Sequence, residues 1–240
     1  MRELNYIDET IEKNENPALR IGSVGRSALS TVYLMDCIEG MKQFPDKIFD
    51  LAVVDPPYGI GADKIQNGKK GKNGYVQYKT TDWDSNIPTE EYFVELMRVS
   101  KNQIIWGGNY MTEYLPPKMC WLIWNKMQRN FDLADGEMAW TSFDKAMRIY
   151  DLSRGQAIQE NNIGLPKFHP TAKPISLYEW IFSKFASEGN LILDTHLGSQ
   201  SSRIAANKAG LDFVGFEIDR EYFDNGNKRF KNFVSQTVLF

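Results

Sequence analysis

Leu51-Ala52-Val53-Val54 runs without a break into Asp55-Pro56-Pro57-Tyr58, and this junction constrains the fold more than any other stretch of the chain. A short continuous apolar run reads as a strand buried on both faces. The two prolines remove two amide donors and fix two φ angles, so the strand must end at Asp55 and the turn after it is stiff. Strands covered on both faces belong to parallel sheets, and open sheets of that kind bind ligands at the carboxyl ends of their strands. Asp55 and Tyr58 therefore stand where such a fold does its chemistry.

The rest of the chain alternates apolar runs with amphipathic segments, the pattern of a parallel sheet covered by helices. Strands are predicted at Thr31–Met35, Phe49–Val54, Gln103–Trp106, Cys120–Trp124, Glu137–Thr141, Ala146–Tyr150, Leu191–Leu193 and Phe213–Phe216. Helices are predicted at Thr89–Ser100, Pro174–Ala186, Ser201–Ala209 and Arg220–Phe233, the third closed by Gly210. The polar stretch from Gly59 to Pro88 lacks periodicity and reads as an inserted loop on the substrate side of the site. With 240 residues, 42% of them hydrophobic and 25% charged, and with neither repeats nor low-complexity linkers, one globular domain over 1–240 is expected. No apolar run has the length of a membrane span, and the opening MRELNYIDET is too polar for a signal peptide; a cytoplasmic protein is expected. Cys37, Cys120, His169 and His196 have no metal-ligand spacing, and no metal is expected.

The tetrapeptide suits one kind of acceptor. The lone pair of an aromatic NH2 is delocalised into its ring and attacks poorly until it is localised on nitrogen. A carboxylate and a fixed carbonyl, those of Asp55 and Pro56, accepting its two hydrogens would favour a tetrahedral nitrogen aimed at a methyl donor. Pro57 stiffens the turn, and Tyr58 offers a π-face to a base rotated out of the duplex, worth about 1–3 kcal/mol per stacked base. Further along, Asp194-Thr195-His196-Leu197-Gly198-Ser199 lies between a strand and a helix, where glycine lets the backbone approach a ligand. Glu217 ends the next strand, the place for a carboxylate on ribose hydroxyls. Asp36 ends an earlier strand, suited to the amine of an adenine, and Thr171 and Lys173 suit a carboxylate. If Asp36 and Glu217 reach one adenosine, the strand at 31–35 must lie beside the strand at 213–216.

Together these elements resemble the β group of amino-methylating DNA methyltransferases, which act on adenine N6 or cytosine N4. VYLMDCIEGMKQFPDKIFDLAVVDPPYG resembles that family's approach to its catalytic tetrapeptide, and FHPTAKP (Phe168–Pro174) its His-Pro-Thr-x-Lys-Pro element. LILDTHLGSQSS (Leu191–Ser202) is similar to its cofactor loop, and FVGFEID supplies Glu217. IIWGGNY, WLIWNK and AWTSFDKA resemble the compact phage-type members. The resemblance implies an α/β methyltransferase fold, a mostly parallel seven-stranded sheet, circularly permuted so that the cofactor half comes last. It implies S-adenosylmethionine as cofactor, with Asp55, Pro56, Pro57 and Tyr58 as the catalytic residues. Asp36, Cys37, His169, Thr171, Lys173, Asp194, Thr195, His196, Leu197, Gly198, Ser199 and Glu217 then belong to the cofactor site. His196 stands where the family usually has phenylalanine and Gln200 replaces a glycine, and both departures bear on cofactor affinity.

The implied activity is methyl transfer to adenine N6 in double-stranded DNA with the target base flipped, as in restriction-modification; cytosine N4 shares the amine geometry. A net charge of −3 means that DNA must meet a local basic surface. Lys64, Lys69, Lys70 and Lys72 form the densest one, in an acid-free stretch that also holds Tyr75 and Tyr78. Such a run is otherwise a solvated loop. Only Asp151–Lys167 is left as a minimal recognition segment, so specificity is slight, delegated to another loop, or shared with a second subunit in a homodimer. A reading from a different class is a DNA-binding module whose cofactor site is degenerate, which S-adenosylmethionine calorimetry separates from an enzyme.

Overall fold

A computed structural model describes residues 7–11, 29–61, 84–130, 133–162, 169 and 171–237. Its elements, in chain order, are β1 (Ile7–Ile11), β2 (Leu29–Leu34), α1 (Cys37–Met41), β3 (Phe49–Val54), α2 (Glu90–Val99), β4 (Ser100–Trp106), a 3-10 turn at Gly108–Tyr110, β5 (Trp121–Asn125), β6 (Gly136–Thr141), β7 (Arg148–Asp151), α3 (Arg154–Asn161), α4 (Ile175–Phe185), β8 (Leu191–Asp194), α5 (Ser201–Lys208), β9 (Asp212–Glu217) and α6 (Arg220–Thr237). One sheet runs in the order β1-β2-β9-β8-β3-β4-β6-β5-β7. All neighbours are parallel except β6, which is antiparallel to both β4 and β5.

Strand alternation splits the core into two layers. Leu51 and Val53 of β3 face α4, α5 and α6, packing with Leu177, Ile181, Ile204 and Phe223. Ala52 and Val54 face the other way, onto Met41 of α1 and Phe93 and Leu96 of α2. From β8 the chain crosses by α5 to β9; from β3 it reaches β4 by way of α2, on the opposite face. The boundary between β3 and β8 is therefore the topological switch point, and the ends at Asp55 and Asp194 flank the place where open sheets of this kind form their ligand crevice.

Strand β2 lies beside β9, with Leu34 opposite Glu217, as the adenosine argument required. This is the permuted order: α6 is the last described element, on the layer that would join β9 to β2 in an unpermuted chain. All eight predicted strands and four predicted helices are present, Phe49–Val54 with the expected bounds and the others with shifted ends. The sheet has nine strands rather than seven, because short strands are added at both edges. β1 (IDETI) has little apolar character and gains its order by pairing with β2. β7 is mostly exposed and extends β5 as a short polar edge. α1 is a five-residue helix capped by Asp36, and α3 starts at a Ser153–Gln156 capping box inside Asp151–Lys167, the minimal recognition segment. Among the described residues no helix is long and apolar enough to cross a membrane.

The permutation leaves β2 and α6 without a covalent link, and Arg203 bridges them. Its buried guanidinium donates to the Ser30 hydroxyl (2.7 Å) and carbonyl (3.2 Å) on β2, and to Asn227 Oδ1 (2.9 Å) on α6, while stacking 4.0 Å over the Phe230 ring. Arg203→Met should lower stability in urea by about 3 kcal/mol, since two or more buried acceptors lose their donor at about 1–3 kcal/mol each. An unchanged midpoint would mean that apolar packing alone holds this seam.

Candidate active site

The turn after β3 is fastened from outside. Because Pro56 and Pro57 carry no amide hydrogen, the first amides past Asp55 are those of Tyr58 and Gly59. Both donate to Asp84 Oδ1, at 2.6 and 3.0 Å, and the Gly61 amide donates to the Asp84 carbonyl at 3.0 Å. Asp84 is buried, so these bonds fix the turn firmly. The Tyr58 ring lies against Gly107, where an added Cβ would come within 2.2 Å of it. Gly107 also has φ +69°, so no other residue suits that position. Tyr110 stacks on Tyr58 with ring centres 5.4 Å apart and planes 19° from parallel.

Asp55 meets a buried ammonium. The Tyr58 hydroxyl donates to Asp55 Oδ1 at 2.7 Å, and Lys173 Nζ stands 2.5 Å from Asp55 Oδ2. Lys173, 4% exposed, also donates to the Tyr58 hydroxyl (3.0 Å), approaches Glu137 Oε2 (3.2 Å) and lies over the Trp106 ring. Glu137 Oε1 in turn takes Lys126 Nζ at 2.5 Å. Burial pushes the Asp55 carboxyl up, against the pull of Lys173. Burial works against the Lys173 charge too, but Asp55 and Glu137 together hold its ammonium above the ordinary range. Glu137 is driven down to about 2: burial opposes its charge, and Lys173 and Lys126 outweigh burial. Burial and then Asp55 keep the Tyr58 hydroxyl protonated.

The second half of the crevice is built by β8 and β9. Glu217 Oε2 accepts from the Gly198 amide (2.8 Å), and Oε1 from the amides of Ile218 and Asp219 (3.0 and 2.9 Å). Gly198 has φ +46°, and a Cβ there would sit 3.0 Å from the His169 ring. Asp194 accepts from the His196 amide and the Ser202 hydroxyl, and burial raises its pKa to about 7. Thr195 Oγ1 joins the Tyr92 hydroxyl (2.7 Å) to His196 Nδ1 (2.9 Å). Burial lowers the His196 pKa to about 4, so the ring is neutral, edge-on to Tyr92. Leu197 is buried, and the Ser199 carbonyl accepts from Arg229. The Met35 amide donates to the Glu217 carbonyl, joining the ends of β2 and β9.

The family model described as DNA methylase (N6_N4_Mtase) matches residues 116–228. The type II methyltransferase M2.MboI of Moraxella bovis is 24% identical over 83% of this chain and 86% of its own. Among solved structures, an M1.HpyAVI–SAM complex superposes with a TM-score of 0.53 at 18% identity, covering 82% of this chain and 97% of that one. The cytosine-N4-specific PvuII DNA methyltransferase gives 0.56 at 13%, covering 87% and 91%. Over the matched residues, and in fold, this chain resembles the N6-adenine/N4-cytosine DNA methyltransferases. The M1.HpyAVI structure is a complex with S-adenosylmethionine. A glycine cradle at Gly198 too tight for a Cβ, a buried carboxylate at Glu217 and a neutral ring at His196 fit it.

In this chain Asp55, Tyr58 and Lys173 come together in one cluster, and Gly198, Glu217 and His169 in another. Lys173, expected beside a cofactor carboxylate, has its ammonium on Asp55, Glu137 and Tyr58. Thr171 is half-buried two residues before it. Asp36 is exposed, and its Oδ1 caps α1 through the amides of Ile38 and Glu39. Burial and then Asp36 push the neighbouring Cys37 thiol up to about 12. Gln200, φ +58°, adopts the conformation of the glycine it replaces. Its side chain bonds to Arg203 and Asn227 and packs on Gly226, in the seam between α5 and α6. Lys64, Lys69, Lys70, Lys72, Tyr75 and Tyr78 lie outside the described residues, as do 163–167 of the recognition segment. Sequence reasoning missed Asp84, Tyr92, Tyr110, Lys126 and Glu137; only the IIWGGNY and WLIWNK stretches, singled out for resemblance, pointed near two of them.

The neutral His196 has a measurable consequence. The unfolded chain takes up a proton near pH 6.5 that the folded one refuses until about pH 4, so stability is lost as pH falls through that window. His196→Phe should abolish this loss. Between pH 7 and 4.5 the wild type should lose about 2 kcal/mol more than the variant in urea titrations; equal losses would show that the ring is not desolvated.

Proposed function

We propose that this enzyme transfers a methyl group from S-adenosylmethionine to the exocyclic N6 amine of adenine in double-stranded DNA. The observation that carries the reading is the Asp55 carboxyl at the switch point, 2.5 Å from the Lys173 ammonium, whose charge opposes the upward push of burial on its pKa. An ionised carboxylate has about four lone-pair positions. Tyr58 and Lys173 occupy one on each oxygen, which leaves capacity for the amine. Asp55 and the Pro56 carbonyl accept the two amine hydrogens and localise the nitrogen lone pair. The product ammonium is acidic enough to lose its proton without a dedicated base. Tyr58, held by Gly107 and the Asp84 clamp, stacks on the flipped base.

The cofactor supplies an electrophilic methyl group when bound. Glu217 would hold its ribose, Gly198 lets the backbone close on it, and Asp194 orders the loop through the His196 amide. Aspartate as the first residue of the tetrapeptide favours adenine over cytosine by family pattern. The segment 59–88, through Lys64, Lys69, Lys70, Lys72, Tyr75 and Tyr78, contacts DNA beside the flipped base.

Nucleoside analysis of DNA incubated with the purified enzyme and labelled S-adenosylmethionine should yield N6-methyladenine. N4-methylcytosine would move the acceptor, and no methylated nucleoside would refute the reading. Asp55→Ala should reduce turnover by at least about 100-fold while cofactor affinity stays within a few-fold, because the lost contact belongs to the transition state. Glu217→Ala should instead weaken cofactor binding by about 1.5–3 kcal/mol. Replacing Lys69, Lys70 and Lys72 together with alanine should flatten the salt dependence of DNA affinity by about 0.9 in log–log slope per lost phosphate contact; an unchanged slope would make the segment mere solvated surface.

A further inference from the structure

Beyond Asp55 and Lys173, the cluster holds a second charge pair that methyl transfer itself does not call for. Lys126 follows β5 and Glu137 lies near the start of β6, brought together by the antiparallel register that sets Trp124 opposite Glu137. Their side chains are 8% and 24% exposed and 2.5 Å apart. Lys126, Glu137, Lys173 and Asp55 thus form a row of alternating sign, with successive separations of 2.5, 3.2 and 2.5 Å. Burying such a row costs desolvation that mutual attraction barely offsets, and apolar residues in place of Lys126 and Glu137 would stabilise the fold as well or better. The pair is better explained by what it does to its neighbours.

We propose that Glu137 and Lys126 are positioning residues that set how tightly Lys173 holds Asp55, and thereby how much negative charge Asp55 presents to the acceptor amine. The proposal rests on the methyl-transfer reading. An ammonium has three hydrogens, and Lys173 directs them at Asp55, Glu137 and the Tyr58 hydroxyl. Glu137 draws Lys173 away from Asp55, and Lys126 draws Glu137 away from Lys173. With Glu137 neutral, Lys173 leans on Asp55 alone, and the carboxylate becomes a poorer acceptor. With Lys126 gone, Glu137 competes harder for Lys173 and Asp55 becomes more basic.

The groups facing Asp55 are Lys173 from the segment before α4, Tyr58 of its own turn and Glu137 of β6, with Asp194 of β8, Tyr92 of α2 and Tyr178 of α4 further off. All three tyrosines stay protonated, their hydroxyls pushed well up by burial first. Asp194 is raised to about 7 and so is mainly neutral in acid, while Glu137, at about 2, stays ionised. Lys173 and Glu137 are then the charges that act on Asp55 where its own titration matters.

Asp55 works as an anion, so turnover falls as pH drops through its pKa. Glu137→Gln should move this acid limb of kcat down by about one pH unit, and lower kcat at neutral pH by about 10- to 100-fold, the range for losing a partner one layer behind a functional group. Lys126→Met should move the limb up. The double variant, which removes one charge of each sign and keeps the cluster balanced, should match Glu137→Gln, since Lys126 acts only through Glu137. Cofactor affinity by calorimetry should be unchanged in all three. The same ordering should appear when the Asp55 carboxyl is titrated by 13C NMR without DNA, so the result does not depend on turnover. Limbs that move the same way in both single variants, or not at all, would overturn the proposal while leaving methyl transfer intact. A wild type that methylates no DNA would overturn the parent reading, and this one with it.

Discussion

A single ammonium group organises the chemistry of this protein. Lys173 is nearly excluded from water, and a lone buried cation would cost several kcal/mol or give up its proton. It is tolerated because two elements bring it three partners: the turn after β3 supplies Asp55 and Tyr58, and β6 supplies Glu137. Each of these depends on Lys173 in return. Without it, nothing would offset the burial that raises the Asp55 pKa except the Tyr58 hydroxyl. The sheet order makes the meeting possible, since β3, β4 and β6 are consecutive in space although β5 comes between β4 and β6 in sequence.

The other half of the crevice relies on neutral groups and backbone amides. Glu217 is satisfied by three amides, Asp194 by an amide and a hydroxyl, and His196 is held neutral between Thr195 and Tyr92. The charge here is localised at Glu217 and, across the strand ends, at the Asp55 row. The permuted chain order adds a seam between β2 and α6, which Arg203, Gln200 and Asn227 close from within.

Strong local patterns made much of this legible in the sequence. The run from Leu51 to Tyr58 carried both the strand and its end, and the ends of β8 and β9 followed from the same logic. The pairing of β2 with β9 followed from requiring Asp36 and Glu217 to serve one ligand. What escaped depends on long-range register. Glu137 reads in sequence as one polar position near a strand start, and only its pairing opposite Trp124 carries it to Lys126 and Lys173. Asp84 closes the catalytic turn across an insertion whose length hides the contact. Gln200 read as a threat to cofactor binding because its conformation was unknown; at φ +58° its side chain turns into the α5–α6 seam. β1 escaped because its order comes from β2 rather than from its own apolar residues.

The most direct test of this account concerns Lys173 itself, whose sequence context suggested the cofactor and whose position is beside Asp55. Methyl transfer to DNA and S-adenosylmethionine affinity should be measured side by side for Lys173→Met, with thermal unfolding as a control for folding. The account predicts that turnover at saturating cofactor is lost while the dissociation constant for S-adenosylmethionine stays close to that of the wild type. A folded variant that binds the cofactor poorly yet turns over normally once saturated would contradict it, and would return Lys173 to the cofactor.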